Sequence, residues 1–253
     1  MTGRIRFAVE DGVARITLCD VAGRNAFGRA FSEALDEAVK GAIDRSDARV
    51  ILLDAEGPYF SVGGDLKEMR DAGDAVSAQV AAIARPVNAA LLALTHGPLP
   101  VVSAWSGIAA GGGVGFALCG DMVVAAESAR LTPGFTRSGL VPDTGLTWLL
   151  PRVLGHVRAF ELLALNADIR AAQALEMGIV NRVIPDAELA KEAMNLAEAL
   201  AAMPEGVLAD TRRLLRLAME SSFGSHLSEE ARVISARAGL ADTRERLERF
   251  FAR

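Results

Sequence analysis

The stretch SAWSGIAAGGGVGFALCGD, Ser103 to Asp121, constrains this chain more than any other part of it. It overlaps an uncharged run from Gly97 to Gly120 that holds seven glycines and two prolines. A run of that length without charge raises the question of a membrane span. Glycine and proline at this density, with no second span elsewhere in the chain, predict instead a buried strand, a turn and a buried helix inside a core. Within it, Gly111, Gly112 and Gly113 mark a place where something approaches the backbone too closely for side chains.

The three glycines follow a predicted strand and open a predicted helix, whose first N–H groups lack internal partners and favour a developing negative charge. Phosphate-cradling patterns do not fit. Counting from Gly111 puts Phe116 where a dinucleotide fingerprint needs its third glycine, and counting from Gly113 puts Leu118 there. No Gly-Lys-Ser/Thr follows for a P-loop. Standing alone, the pattern reads first as a turn needed for close packing.

Composition narrows the classes. Of 253 residues, 51% are hydrophobic and 23% charged, which supplies a core and leaves no case for disorder. A net charge of −5 argues against nucleic acid or an anionic membrane as the partner. Cys19 and Cys119 sit in apolar runs and suggest no disulfide framework, and the N-terminus has no apolar signal core. Both features point to a reducing, cytoplasmic setting.

Periodicity gives an α/β class. RIRFAVEDGVARITLCD alternates around Asp11-Gly12 as a β-hairpin, and RAFSEALDEAVKGAIDRS has helical spacing. ARVILLDAEG, LPVVSAW and DMVVAAE read as strands buried on both faces, with a helix predicted from about Val76 to Leu94. After Pro142 come short helices stopped at Gly155, Asn166 and Gly178, then a last strand in IVNRVIP. From Asp186 onward only helices are expected. This predicts a core over 1–195 and a helical region over 196–253.

A second glycine turn, GPYFSVGGDLKEM (57–69), also passes from strand to helix. Two turns of this kind can present backbone N–H groups to one oxygen atom, the layout of an oxyanion hole.

With RNAF at 24–27, FSVGGDL at 60–66, IAAGGGVGFALCGD at 108–121, GLVPDTGLTWLLPRVLG at 139–155 and ALEMGIVNRVIP at 174–185, the chain resembles the crotonase (enoyl-CoA hydratase/isomerase) superfamily. The resemblance runs in family order from about residue 5 to about 225. It implies a crotonase-like spiral of ββα units with a C-terminal helical extension, binding an acyl-CoA thioester, with no cofactor beyond the coenzyme A of the substrate. It assigns the N–H groups of Gly64 and Gly112 to the oxyanion hole, and puts Arg24 and Lys67 where the family keeps cations for the CoA phosphates. For those two, plain surface solvation is the competing reading.

Departures from the pattern redirect the chemistry. Family hydratases carry two glutamates, whose positions here are Gly115 and Phe135. Neither moves a proton, whereas hydration of a conjugated double bond needs both a base and an acid. Asp143, in LVPDTG, stands where an isomerase-type subset keeps its carboxylate, a subset that includes ring-1,2-epoxyphenylacetyl-CoA isomerases. One carboxylate suffices to move a double bond from Δ3 to Δ2. The competing reading of Asp143 is a helix N-cap for TGLTWLL.

Three functions follow in order: the isomerase, another enolate reaction such as hydration, thioester hydrolysis or ring-epoxide isomerisation, and a non-catalytic acyl-CoA-binding subunit. Met69, Val76, Phe135 and Trp148 are expected in the acyl pocket, shaped by a loop around 67–80, although core packing is the first reading for apolar side chains. Asp65 and Asp121 read as structural. His96, His156 and His226 have no ligand-like spacing, so no metal is expected. The family's C-terminal helices join subunits, and Leu240, Leu247, Phe250 and Phe251 fit such contacts in a homotrimer or a dimer of trimers.

Overall fold

In a computed structural model that describes residues 3–251, the chain leaves the first hairpin and then winds repeatedly between two sheets. The hairpin is β1 (Ile5–Glu10) and β2 (Val13–Leu18), antiparallel, with Glu10 opposite Val13. Helix α1 (Arg29–Asp44) buries Phe31, Leu35, Ala38, Val39 and Ala42, the apolar stripe the spacing predicts.

Three turns of one pattern follow. β3 (Val50–Ala55) enters the large sheet and β4 (Tyr59–Ser61) the small one, followed by α2 (Leu66–Asp71) and α3 (Val76–His96). β5 (Val101–Trp105) and β6 (Ile108–Ala110) repeat the step and lead to α4 (Gly113–Ala117). β7 (Met122–Ala126) and β8 (Arg130–Thr132) repeat it again, before α5 (Leu146–Leu154) and α6 (His156–Leu165). β9 (Ile169–Arg170), α7 (Ala171–Glu176), β10 (Arg182–Ile184) and α8 (Leu189–Ala201) complete this unit.

The large sheet has the order β1-β2-β3-β5-β7-β10, parallel beyond the hairpin, and the small sheet the order β4-β6-β8-β9. β3 and β5 are buried at nearly every position, as expected of parallel strands covered on both faces. The uncharged run is thus divided among β5, β6 and α4, and no single helix passes through it. α3 is long and apolar enough to cross a membrane by length and composition. Ile83, Val87, Ala90, Leu91 and Leu94 on it are buried in the core.

Two expectations about elements need correction. The glycine triplet follows β6, a strand of the second sheet, and not the strand LPVVSAW, which ends at Trp105 before a left-handed turn at Gly107. β6 and β8 are three residues each, too short for periodicity to reveal. The segment 67–80 is helical rather than a loop, through α2, a 3-10 turn at Gly73–Ala75 and the start of α3.

The chain divides into one unit ending at Ala201 and another beginning at Ala202. The division falls beyond the expected 195 because α8 packs against β3, β5 and β7 through Leu189, Ala193, Ala197 and Ala201, four residues apart along one face. The second unit holds α9 (Val207–Leu217), α10 (Phe223–Ala238) and α11 (Ala241–Phe251). α9 and α10 are tied by ion pairs from Arg237 to Asp210 and from Arg213 to Glu229, which also pairs with Arg232 on its own helix. Leu240, Leu247, Phe250 and Phe251 are exposed on it. Cys19 and Cys119 are free thiols.

Candidate active site

β4, β6 and β8 are parallel neighbours, with Tyr59 beside Ile108 and Ala110 beside Thr132. Parallel neighbours end on the same side, so three loops leave the small sheet together: Val62–Asp65, Gly111–Gly113 and Pro133–Phe135. Gly111 N–H donates to Thr132 O at 3.1 Å and holds two of them in register. These loops and α3 wall an apolar cavity of about 380 Å³.

Phe27 sets the orientation of Gly64. Its N–H donates to Gly63 O at 2.7 Å, and its carbonyl accepts from Asp65 N at 3.2 Å. This parallel bridge uses the groups on either side of Gly64 and leaves the Gly64 N–H free to face away from Phe27. The RNAF block makes the bridge possible. Arg24 and Asn25 are both left-handed, a conformation asparagine tolerates, and the buried Asn25 donates from Nδ2 to Tyr59 O at 3.0 Å. Phe27 itself packs edge-on against Phe116, with ring centroids 5.2 Å apart.

Gly63 keeps the second N–H open. A β-carbon on it would lie 2.6 Å from the Gly112 nitrogen, and its φ of 77° already favours glycine. Gly64 and Gly112 both line the cavity, and neither N–H meets an acceptor among the described residues. α4 spans only five residues, so its dipole adds little, contrary to the expected helix-terminus effect. What Gly112 presents is its own N–H.

Asp143 lines the same cavity. Its Oδ1 is 3.3 Å from where a β-carbon of Gly112 would stand. Asp143 is exposed at the cavity mouth, and the protein around it still pushes its carboxyl above the ordinary range by desolvation. The neighbouring Thr144 hydroxyl pulls the other way, though it is buried and makes no hydrogen bond of good geometry. The N-cap reading of Asp143 is not met. α5 is preceded by Gly145 with no side-chain cap, and Asp143 contributes only its carbonyl, which accepts from Leu146 N at 3.1 Å.

The other expected residues divide. Met69 and Phe135 line the cavity, and Val76 and Trp148 do not. Val76 opens α3, 40% exposed, one turn before Val80, which does face the cavity. Trp148, 39% exposed, lies under the Arg152 guanidinium at 3.7 Å. Arg24 and Lys67 are exposed and outside the cavity wall, with the Arg24 guanidinium 5.3 Å from the Tyr59 ring centre. Asp65 caps α2 by accepting from Lys67 N and Glu68 N, and Asp121 accepts from Val101 N at 2.7 Å, both structural. Among the described residues no group of three or more His, Cys, Asp or Glu could hold a metal ion.

Strands that alternate between two sheets, with glycine turns gathered at an apolar cavity, define the crotonase class of fold. A family model described as Enoyl-CoA hydratase/isomerase matches residues 8–253. The chain is 35% identical over 248 residues to the 1,2-epoxyphenylacetyl-CoA isomerase of Escherichia coli strain K12, covering 97% of this chain and 94% of that protein. It is 34% identical over 247 residues to a protein of Rhodobacter capsulatus named "Probable enoyl-CoA hydratase", with coverage of 97% and 94%. A solved enoyl-CoA hydratase from Polaromonas sp. JS666 superposes with a TM-score of 0.92 at 28% identity, covering 98% and 96%. The chain belongs to the enoyl-CoA hydratase/isomerase family and is an enzyme of that kind, with the expected crotonase fold.

Proposed function

We propose that this enzyme moves a double bond from Δ3 to Δ2 of an enoyl-CoA, with Asp143 as its one acid/base. The observation that carries this reading is that, among the described residues, Asp143 is the single titratable side chain on the cavity wall. The thioester oxygen accepts from the N–H groups of Gly64 and Gly112. Asp143 removes a proton from C2, the dienolate charge rests on the two N–H donors, and the carboxyl returns a proton to C4. The C3–C4 double bond becomes a C2–C3 double bond, with no water consumed and no redox change. Each oxyanion donor is worth about 3 kcal/mol in such a transition state. Desolvation of Asp143 raises its affinity for a proton and so strengthens it as a base.

Hydration is the less favoured reading, because a second acid/base is needed and Phe135 and Gly115 supply none. Arg24 and Lys67 are proposed to meet the CoA phosphates. Their replacement by alanine should raise KM for CoA thioesters and leave that for a pantetheine thioester unchanged. We read the exposed Leu240, Leu247, Phe250 and Phe251 as subunit contacts, so light scattering should give three or six times the 26.6 kDa chain mass.

The test of the reaction is a medium-chain 3-enoyl-CoA, followed by the rise of conjugated thioester absorbance. The expected result is a rise that Asp143→Asn abolishes, with deuterium from C2 of the substrate appearing in part at C4 of the product. A rise that survives the mutation moves the proton transfer to another group, and no rise with either protein rejects the linear isomerase.

A further inference from the structure

Asp143 is followed by two left-handed residues, Thr144 at φ 47° and Gly145 at φ 75°. Glycine adopts that conformation freely, but for a β-branched residue it is a strained outlier that persists only where the surroundings enforce it. Thr144 is also 4% exposed, with a hydroxyl that is buried and unpaired among the described residues. Such a residue costs stability, so its surroundings must explain why it stands next to the candidate base.

Those surroundings are the two glycines that bracket the first turn of α4. A β-carbon on Gly115 would collide with the Thr144 carbonyl oxygen and stand 2.6 Å from its hydroxyl. A β-carbon on Gly112 would stand 3.0 Å from the Thr144 methyl group and 3.3 Å from Asp143 Oδ1. Thr144 therefore fills the space that Gly115 vacates, while its methyl and the Asp143 carboxyl lie side by side against Gly112.

We propose that Thr144 is the positioning residue for Asp143, wedged into a socket formed by Gly115, so that the carboxyl is held against Gly112. The proposal rests on Asp143 being the acid/base. It has a structural consequence: a side chain at 115 and the present placement of Asp143 exclude one another. A carboxylate introduced at 115 therefore displaces the existing base and does not add a second one. The groups facing Asp143 from α3, from the loop after β6 and from 133–135 are apolar or uncharged.

The test compares Thr144→Ser, Thr144→Gly and Thr144→Val with Asp143→Asn in the full-length enzyme, by the 3-enoyl-CoA assay across pH. Thr144→Gly accepts the left-handed backbone without strain, so it folds. Without the wedge, kcat should fall by at least about 10-fold with KM little changed, as expected for a misplaced catalytic group. Thr144→Ser should stay near the parent rate. Thr144→Val keeps the branched wedge and loses only the unpaired hydroxyl, so it too should stay near the parent rate. If Thr144→Gly keeps the parent kcat while Asp143→Asn is inactive, the positioning role is overturned and the isomerase reading stands. If Asp143→Asn keeps the parent rate, both fall together.

Discussion

Gly63 sits so close to Gly112 that a single added carbon would lie 2.6 Å from the Gly112 nitrogen and 2.9 Å from the Ala110 oxygen. One glycine thereby keeps the amide of another accessible, from a different strand of the small sheet. Gly63→Ala should lower kcat by about 10²–10³-fold, the usual loss when one oxyanion donor is removed. Its φ of 77° should also cost about 1 kcal/mol of stability. Kinetics and thermal unfolding of one variant check both. A fall in stability with an unchanged rate would show that Gly112 N–H is not used.

Glu68 ties α2 to the beginning of α1. Its Oε2 accepts from Arg29 N at 3.0 Å, while the N-cap residue Gly28 supplies no side-chain acceptor. The carboxylate thus serves as a cap delivered from another helix. Glu68→Ala should cost about 1 kcal/mol, as for loss of a cap, and lower the melting temperature by about 2–4 °C in a chain of this size. Glu68→Gln keeps an acceptor oxygen and should recover most of it. An unchanged melting temperature in both would count against the cap.

Asp143 should cost the fold stability at neutral pH. Its folded-state pKa is raised, so the native state holds the proton more tightly than the unfolded chain does. Stability is then lost as pH rises from the ordinary carboxylate value through the folded value, and the cost persists above that. Asp143→Asn is therefore expected to melt higher than the parent at pH 7, and at the same temperature near pH 3. A variant that melts lower at pH 7 would contradict the desolvation argument.

Glu229 has the opposite sign. Arg232 and Arg213 hold its carboxyl down to about 2. Its contribution is present above the ordinary carboxylate range and is lost as pH falls towards about 2. The pairs are solvent-exposed, so the effect is small and weakened by salt. Hydrogen-exchange protection factors across α9 and α10, taken against the intrinsic rate at each pH, should fall in acid in the parent and respond less to pH in Glu229→Gln. Equal acid response in both would remove Glu229 from the account.

Much of the large sheet was legible because its strands are continuous apolar runs bounded by turn residues, as in VILLDA and VVSAW. α1 was legible through its 3.6-residue stripe. The small sheet was not, since β4, β6 and β8 are three residues each and carry no period. In the site, Gly64, Gly112, Asp143, Met69 and Phe135 were named from the glycine turns and the family resemblance, and all reach the cavity. Val76 lies outside the quoted segments and Trp148 inside one, and nothing local distinguishes a side chain facing the cavity from one a turn away. Gly63, Thr144 and Glu68 were missed. The tandem glycines offered a signal for Gly63, whereas Thr144 and Glu68 act through partners distant in sequence.

By itself the sequence determined the α/β class and the family. Those follow from residue types at fixed spacings along the chain. Tertiary structure alone decided that three loops leave one sheet side by side, that Gly63 guards the amide of Gly112, and that Thr144 occupies the room Gly115 leaves. Such relations depend on distances between segments about 20 to 70 residues apart in the chain, and the pairing of parallel strands brings those segments together.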